Sequence, residues 1–304
     1  MIEPAPATTA AIGRKPARRT RFDVLGGVSL AHLLNDTMQS VILALYPLLK
    51  GEFDLGFFQI GAITLTFQLT ASLLQPIVGM VTDRRPMPFL MMLGMGFTFG
   101  GLLLLSVAPS YPILLLAVGL IGCGSATFHP EASRVARLAS GGRFGLAQSL
   151  FQIGGNAGQA LGPLLAAAVV LAFHHGGRAQ VAWFGLLALL AMVVLLQVGR
   201  WYRAHVTRQA KKAPVAEGHR YPGKVVRRSI AILLVLMFSK FFYLASISSY
   251  YTFYLMHEFG VSAHMAANLL AVFLGAVAVG TLVGGPLGDR IGRRQVIWLS
   301  ILGC

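Results

Sequence analysis

Between Asp54 and Asp83 the chain runs for 28 residues without a charged side chain; a second such run, Arg85 to Glu131, has 45 and a third, Glu258 to Asp289, has 30. About 20 apolar residues in a helix cross the hydrocarbon core of a bilayer, and no soluble fold calls for so many long uncharged runs. The chain is therefore expected to be all-α and polytopic, a bundle of membrane-spanning helices.

Charged residues make up 12% of the 304 residues, against about 25% in a soluble domain. Lys and Arg outnumber Asp and Glu by 25 to 10, a formal charge of +15. That balance alone suits a nucleic-acid binder, but the positions of the charges argue otherwise. Charges and turn residues bound eight spans, at 24–49, 56–81, 88–108, 111–133, 144–172, 179–199, 229–255 and 262–287. The 45-residue run divides at Ala108-Pro109-Ser110-Tyr111-Pro112, where two prolines and a serine make a tight hairpin. With the N-terminus inside, 22 of the 25 Lys and Arg lie in cytoplasmic segments; Lys50 and Arg178 lie on the other side and Lys240 lies within a span. Cationic loops stay cytoplasmic during insertion, so the charge is a topology signal that also suits contact with anionic lipid. No nucleic-acid partner is expected. Arg18 and Arg19 read as a basic flank to the first helix, since no short apolar segment and cleavage site follow. Cys123 and Cys304 are too few for a disulfide framework or metal cluster, and neither a metal nor a cofactor is expected.

Two decapeptides 206 residues apart follow the second and eighth spans: Gly79-Met80-Val81-Thr82-Asp83-Arg84-Arg85-Pro86-Met87-Pro88 and Gly285-Pro286-Leu287-Gly288-Asp289-Arg290-Ile291-Gly292-Arg293-Arg294. The same shift lays the first span on the seventh and the second on the eighth. A parallel repeat of six spans, both copies starting inside, is the arrangement of the two halves of major facilitator transporters. The second decapeptide resembles that superfamily's motif A, G-x-L-x-D-R-x-G-R-R, at every defined position. The first keeps Gly79, Asp83 and Arg84. An Asp at the end of one helix can accept hydrogen bonds from a facing helix N-terminus, so motif A is expected to act as a conformational latch, with Gly79, Asp83, Arg84, Gly285, Asp289, Arg290, Gly292 and Arg293 as its residues. Asp289 is placed to reach the start of the fifth span near Gly142, and Asp83 to meet a helix start beyond position 304. In the fifth span Gly158, Gly162 and Pro163 resemble motif C of the antiporter branches, where small residues four apart allow close helix packing.

A narrower resemblance rests on Ala31-His32-Leu33-Leu34-Asn35-Asp36 with Tyr46-Pro47-Leu48-Leu49, on Gly124-Ser125-Ala126-Thr127-Phe128-His129-Pro130-Glu131-Ala132-Ser133-Arg134, and on Ser140-Gly141-Gly142-Arg143 with Gln152-Ile153-Gly154-Gly155-Asn156. Together these are similar to the fosmidomycin resistance family of major facilitator exporters over about residues 22–304. The resemblance implies a twelve-span fold, of which this chain carries a cytoplasmic tail (1–22), a complete six-helix half (23–200), a basic linker (201–228) and the start of a second half (229–304). A ninth span opens at Gln295 and runs only ten residues to Cys304. The expectation for the chain as given is a C-terminally truncated form that inserts without transporting.

Ionisable groups at membrane depth are costly and usually face a water-filled path. His32, Asn35, Asp36 and Gln39 share one face of the first span. Gln148, Gln152, Asn156 and Gln159 share one of the fifth, and Lys240, Tyr243, Tyr250, Tyr251 and Tyr254 one of the seventh. These stripes either converge on a cavity between the halves or glue helices together. Asp36 with His32, His129 and Glu131 are the candidates for proton coupling. Asn35, Gln39, Gln152, Asn156, Lys240, Tyr243 and Tyr250 are the candidates for the substrate cavity. Asp36 and Lys240 lie at similar depth on repeat-related helices, where they could pair, or Lys240 could hold an anionic group. His129 and Glu131, two apart, point about 200° away from one another and cannot chelate one ion; Glu131 could instead pair with an arginine.

No nucleophile, paired acids or metal cluster marks an intramembrane enzyme. What the resemblance implies is a monomeric secondary transporter in a bacterial inner membrane, exporting fosmidomycin-like or other small amphiphilic or anionic compounds by proton antiport. Uptake of a metabolite by symport on the same fold stays open.

Overall fold

In a computed structural model, residues 19–172, 177–210, 222–261 and 263–303 are described. The expected tail (through residue 18) and the middle of the linker (211–221) lie outside them. Eleven α-helices are present among the described residues: α1 Phe22–Ala44, α2 Tyr46–Glu52, α3 Phe57–Gln68, α4 Leu74–Arg84, α5 Leu90–Val107, α6 Tyr111–Ala139, α7 Phe144–Ala172, α8 Gly185–Ala210, α9 Gly223–Phe259, α10 Ala263–Ile291 and α11 Arg293–Leu302. A π turn, Leu69–Leu73, joins α3 to α4, and a 3₁₀ segment, Gly177–Phe184, leads into α8. Among the described residues four helical stretches are both long and apolar enough to cross a membrane: Phe57–Arg84, Leu90–Val107, Tyr111–Ala139 and Gly177–Thr207. By length alone α1, α7, α9 and α10, at 23, 29, 37 and 29 residues, also suffice.

Local chemistry accounts for most boundaries. The first span does not run unbroken to residue 49 but stops at Ala44. Pro47 sits in the first turn of α2, where its missing N–H is no loss, whereas inside a continuous helix it would remove a backbone bond and clash with the preceding turn. Pro112 likewise sits in the first turn of α6, which follows α5 across the expected hairpin. The α6–α7 turn places Gly141 and Gly142 at φ of 61° and 100°, a region open to glycine at little cost. Helices enter the expected linker from both sides, α8 extending to Ala210 and α9 starting at Gly223.

Two tight seams organise the bundle. On α7, Cβ atoms at Gly154, Gly158 and Gly162 would fall on the carbonyl oxygens of Ser29, Leu33 and Thr37, so the backbone of α7 lies directly on α1. On α5 and α6, Gly94, Gly101 and Gly124 interlock in the same way, with Thr98, Ala117 and Ile121 filling the gaps. Packing density, rather than hydrophobicity, drives helix association in lipid. The buried core lies between these pairs and α8, with Leu25, Met38 and Ile42, Met95 and Leu102, Phe128, and Tyr202 among its members. The stretch α3–π–α4 rests on α6, and α10 rests on α7, with α9 and α11 beside it.

Candidate functional site

Three helices bring their polar residues to one point. Asp36 of α1 is 4% exposed. Its Oδ1 accepts from Asn35 Nδ2 and its Oδ2 from Gln159 Nε2 of α7, both at 3.0 Å. His32 Nε2 lies 3.5 Å from Oδ2, and His129 Nε2 of α6 lies 3.4 Å from Oδ1. The far nitrogen of each ring is engaged as well: His32 Nδ1 with the carbonyl of Phe151 at 2.7 Å and His129 Nδ1 with that of Ser125 at 2.9 Å. A carbonyl only accepts, so each Nδ1 carries the hydrogen and each Nε2 is turned to the carboxylate.

Packing holds this cluster in place. The His32 ring stacks on Phe151 with centroids 4.0 Å apart and meets His129 edge-on at 5.1 Å. Gly155 of α7 faces the His32 ring and Asp36, where any Cβ would collide. The three ligand-type atoms lie within 4.8 Å of one another, so of the described residues these could come closest to holding a metal ion; both Asp36 oxygens already accept amide hydrogens.

Asp36 and His129 open onto a cavity of about 470 Å³, lined also by Gln39, Tyr46, Thr64, Gln68, Ser72, Gln75 and Gln159. Of the expected cavity residues Gln39 lines it and Asn35 reaches it through Asp36. Gln152, Asn156, Lys240 and Tyr243 are not part of its lining. Lys240 does not meet Asp36. Its Nζ donates to Ser300 Oγ of α11 at 2.7 Å, because α9 stands beside α10 and α11 rather than against α1. The side chains of Tyr250, Arg293 and Pro163 lie outside the described residues. Gln68, Ser72 and Gln75 were not anticipated, although their i, i+4, i+7 spacing on an apolar span is a signal of the same kind as the stripe on α1.

Glu131 and His129 do point apart. Glu131 is fully buried, its Oε1 3.2 Å from Arg134 Nη1 and with Tyr202 of α8 beside it. Arg134 also donates to the Thr82 carbonyl and forms an ion pair with Asp83. Asp83 thus has a partner within the first half, on α6. Of the remaining first-motif residues, Gly79 faces Pro130 and Arg84 is exposed.

The second motif meets α7. Asp289 Oδ1 and Oδ2 accept from the backbone nitrogens of Gly145 and Leu146 at 2.9 and 3.0 Å, in the first turn of α7. Those N–H groups have no partner within the helix and carry its positive dipole end. Gly285 and Gly145 approach so closely that neither position admits a Cβ, and Ser149 donates to the Thr281 carbonyl at 2.9 Å. Arg290 is exposed, and Gly292, at φ 99°, turns the chain into α11. Gly158 and Gly162 of motif C form the α1–α7 seam, where Ser40 Oγ lies 3.4 Å from the Gly158 carbonyl.

An all-helical membrane bundle with a polar cavity and a motif A carboxylate on a facing helix start is the architecture of a secondary transporter. The chain matches the Major Facilitator Superfamily over residues 28–304 and belongs to it, a superfamily of transporters that move small molecules across membranes. It is 56% identical over 301 residues to the fosmidomycin resistance protein of Escherichia coli (strain K12), covering 99% of this chain and 73% of that protein. It is 40% identical over 286 residues to the MFS-type transporter YfnC of Bacillus subtilis (strain 168), covering 93% and 69%. A more distant relative, the probable nitrate/nitrite antiporter NarK1 of Thermus thermophilus, is 26% identical over 259 residues, covering 82% and 57%.

Proposed function

We propose that this transporter exports fosmidomycin or related small amphiphilic or anionic compounds from the cell in exchange for protons, as a monomer in the bacterial inner membrane with its N-terminus in the cytoplasm. The observation that carries this reading is Asp36 held between two Nε2 atoms at the wall of the cavity. A group sharing a proton there is the part an antiporter needs: it can take the proton from one side and release it to the other when substrate enters. The name of the E. coli relative supplies the substrate class. Antiport requires proton and substrate to compete, so the compound is expected to present a hydrogen-bond donor to Asp36 when the proton has left.

Cells expressing the full-length protein should tolerate more fosmidomycin than cells with an empty vector, and a protonophore should abolish the export of labelled drug. Equal tolerance at verified membrane expression would remove the substrate assignment. Export that survives the protonophore would remove the coupling, and accumulation driven by an inward proton gradient would reverse the direction to symport.

A further inference from the structure

One wall of the cavity owes its shape to a local defect in the second span. From Leu69 to Leu73 the helix widens into a π turn. Within it Thr70 Oγ1 donates to the carbonyls of Thr66 and Phe67 at 2.8 and 3.1 Å. On the outside of the turn sits Gly122 of α6, where a Cβ would overlap the Thr70 side chain and the Phe67 carbonyl. The bulge is thus held by a hydroxyl within its own span and by a missing side chain on its neighbour. Turns of this kind occur frequently at functional sites.

What the bulge offers the cavity is a neutral, hydrogen-bonding face. Gln68, Ser72 and Gln75 line the space from this span and Gln39 from α1. Gln39 Nε2 is buried without an acceptor. An unmet donor inside a protein is unfavourable, and an oxygen of a bound molecule would meet it. The described residues lining the cavity include no Lys or Arg, and its carboxylate and imidazole are Asp36 and His129, so away from that pair an oxygen-rich group entering here would be held by amide and hydroxyl hydrogens.

We infer that this bulged face selects the transported compound: Gln39, Gln68 and Gln75, with the Ser72 hydroxyl, bind the oxygens of a phosphonate-like group, and Thr70 and Gly122 are the positioning residues that hold the face in place. The inference rests on the transport reading above and adds to it the chemistry of recognition.

Gradient-driven flux of labelled fosmidomycin into liposomes carrying the full-length protein tests both separately. Gln39→Leu, Gln68→Leu and Gln75→Leu should each raise the half-saturating concentration about three- to tenfold, the effect of one neutral hydrogen bond, and leave the maximal rate per inserted molecule within about twofold. Gln75→Asn should recover part of the loss, and Gly122→Ala should act like the Leu variants. Methylphosphonate should compete with the drug, and less well in the Leu variants. If the parent protein carries drug and half-saturation is unchanged in all three Leu variants, the selecting face is wrong and the transport reading stands. A lower maximal rate at constant half-saturation would also overturn it, because the residues would then only support the bundle. No gradient-driven flux with the parent protein would remove the transport reading and this inference with it.

Discussion

At Asp36 a single carboxylate takes four neighbours from three helices, and its chemistry depends on keeping them. Asp36→Asn preserves shape and one of the two accepted amide hydrogen bonds but cannot exchange a proton. Drug-driven proton movement in liposomes, followed with a pH-sensitive dye, is expected to fall to the level of empty vesicles while the amount of inserted protein stays constant. Glu131 poses a separate problem, a fully buried carboxylate beside one arginine. Removing one partner of a buried pair leaves an uncompensated charge, at a cost of about 3 kcal/mol. Arg134→Ala should therefore lower the unfolding temperature in detergent, and adding Glu131→Gln should return much of it. A double variant no more stable than Arg134→Ala alone would dissociate the two residues. Asp36 could be singled out in the sequence because a charge inside an apolar run is conspicuous. The direction in which Glu131 points could be narrowed by helical geometry, but not its contact with Tyr202, which comes from α8.

Among the elements, the α1–α7 seam is the least forgiving. Gly158 lies on the Leu33 carbonyl and the Thr37 nitrogen, backbone atoms that cannot swing aside as a side chain can. Gly158→Ala should destabilise the bundle by about 1–3 kcal/mol, the usual range for overpacking, read as a lower melting temperature in the same detergent. Gly26, where an added Cβ would meet nothing within 4 Å, is the control that should tolerate alanine. The contact between α10 and α7 combines the close Gly285–Gly145 backbone approach with hydrogen bonds to the Asp289 carboxylate and the Thr281 carbonyl. Asp289→Ala should speed hydrogen exchange at the Gly145 and Leu146 amides and leave exchange in α5 untouched; unaltered exchange at those two amides would sever the proposed latch. The G-x-x-x-G-P pattern pointed to close packing in α7 without naming its partner helix, whereas the second motif A pointed Asp289 at a helix start and the first gave no sign that Asp83 would meet Arg134.

For the molecule as a whole, the loop cations argue for a cytoplasmic N-terminus. In a background with Cys123→Ala and Cys304→Ala, a cysteine placed at Gly51 should be labelled from outside intact cells by an impermeant maleimide. One placed at Arg85 should be labelled only after permeabilisation; the reverse pattern would invert the topology. The helical class and the family were legible because each rests on local quantities: the length of an apolar run and the spacing of residues in a motif. Chain-local physics sets these before any helix meets another. Which side chains share a site was decided only by tertiary structure. Gln159, rather than Gln152 or Asn156, reaches Asp36; Asp83 meets Arg134; Lys240 turns to Ser300; and Gln68, Ser72 and Gln75 join the cavity on a bulged turn. Those outcomes depend on the rotation and crossing of neighbouring helices, which are set by a few close backbone approaches at glycines far apart in the chain.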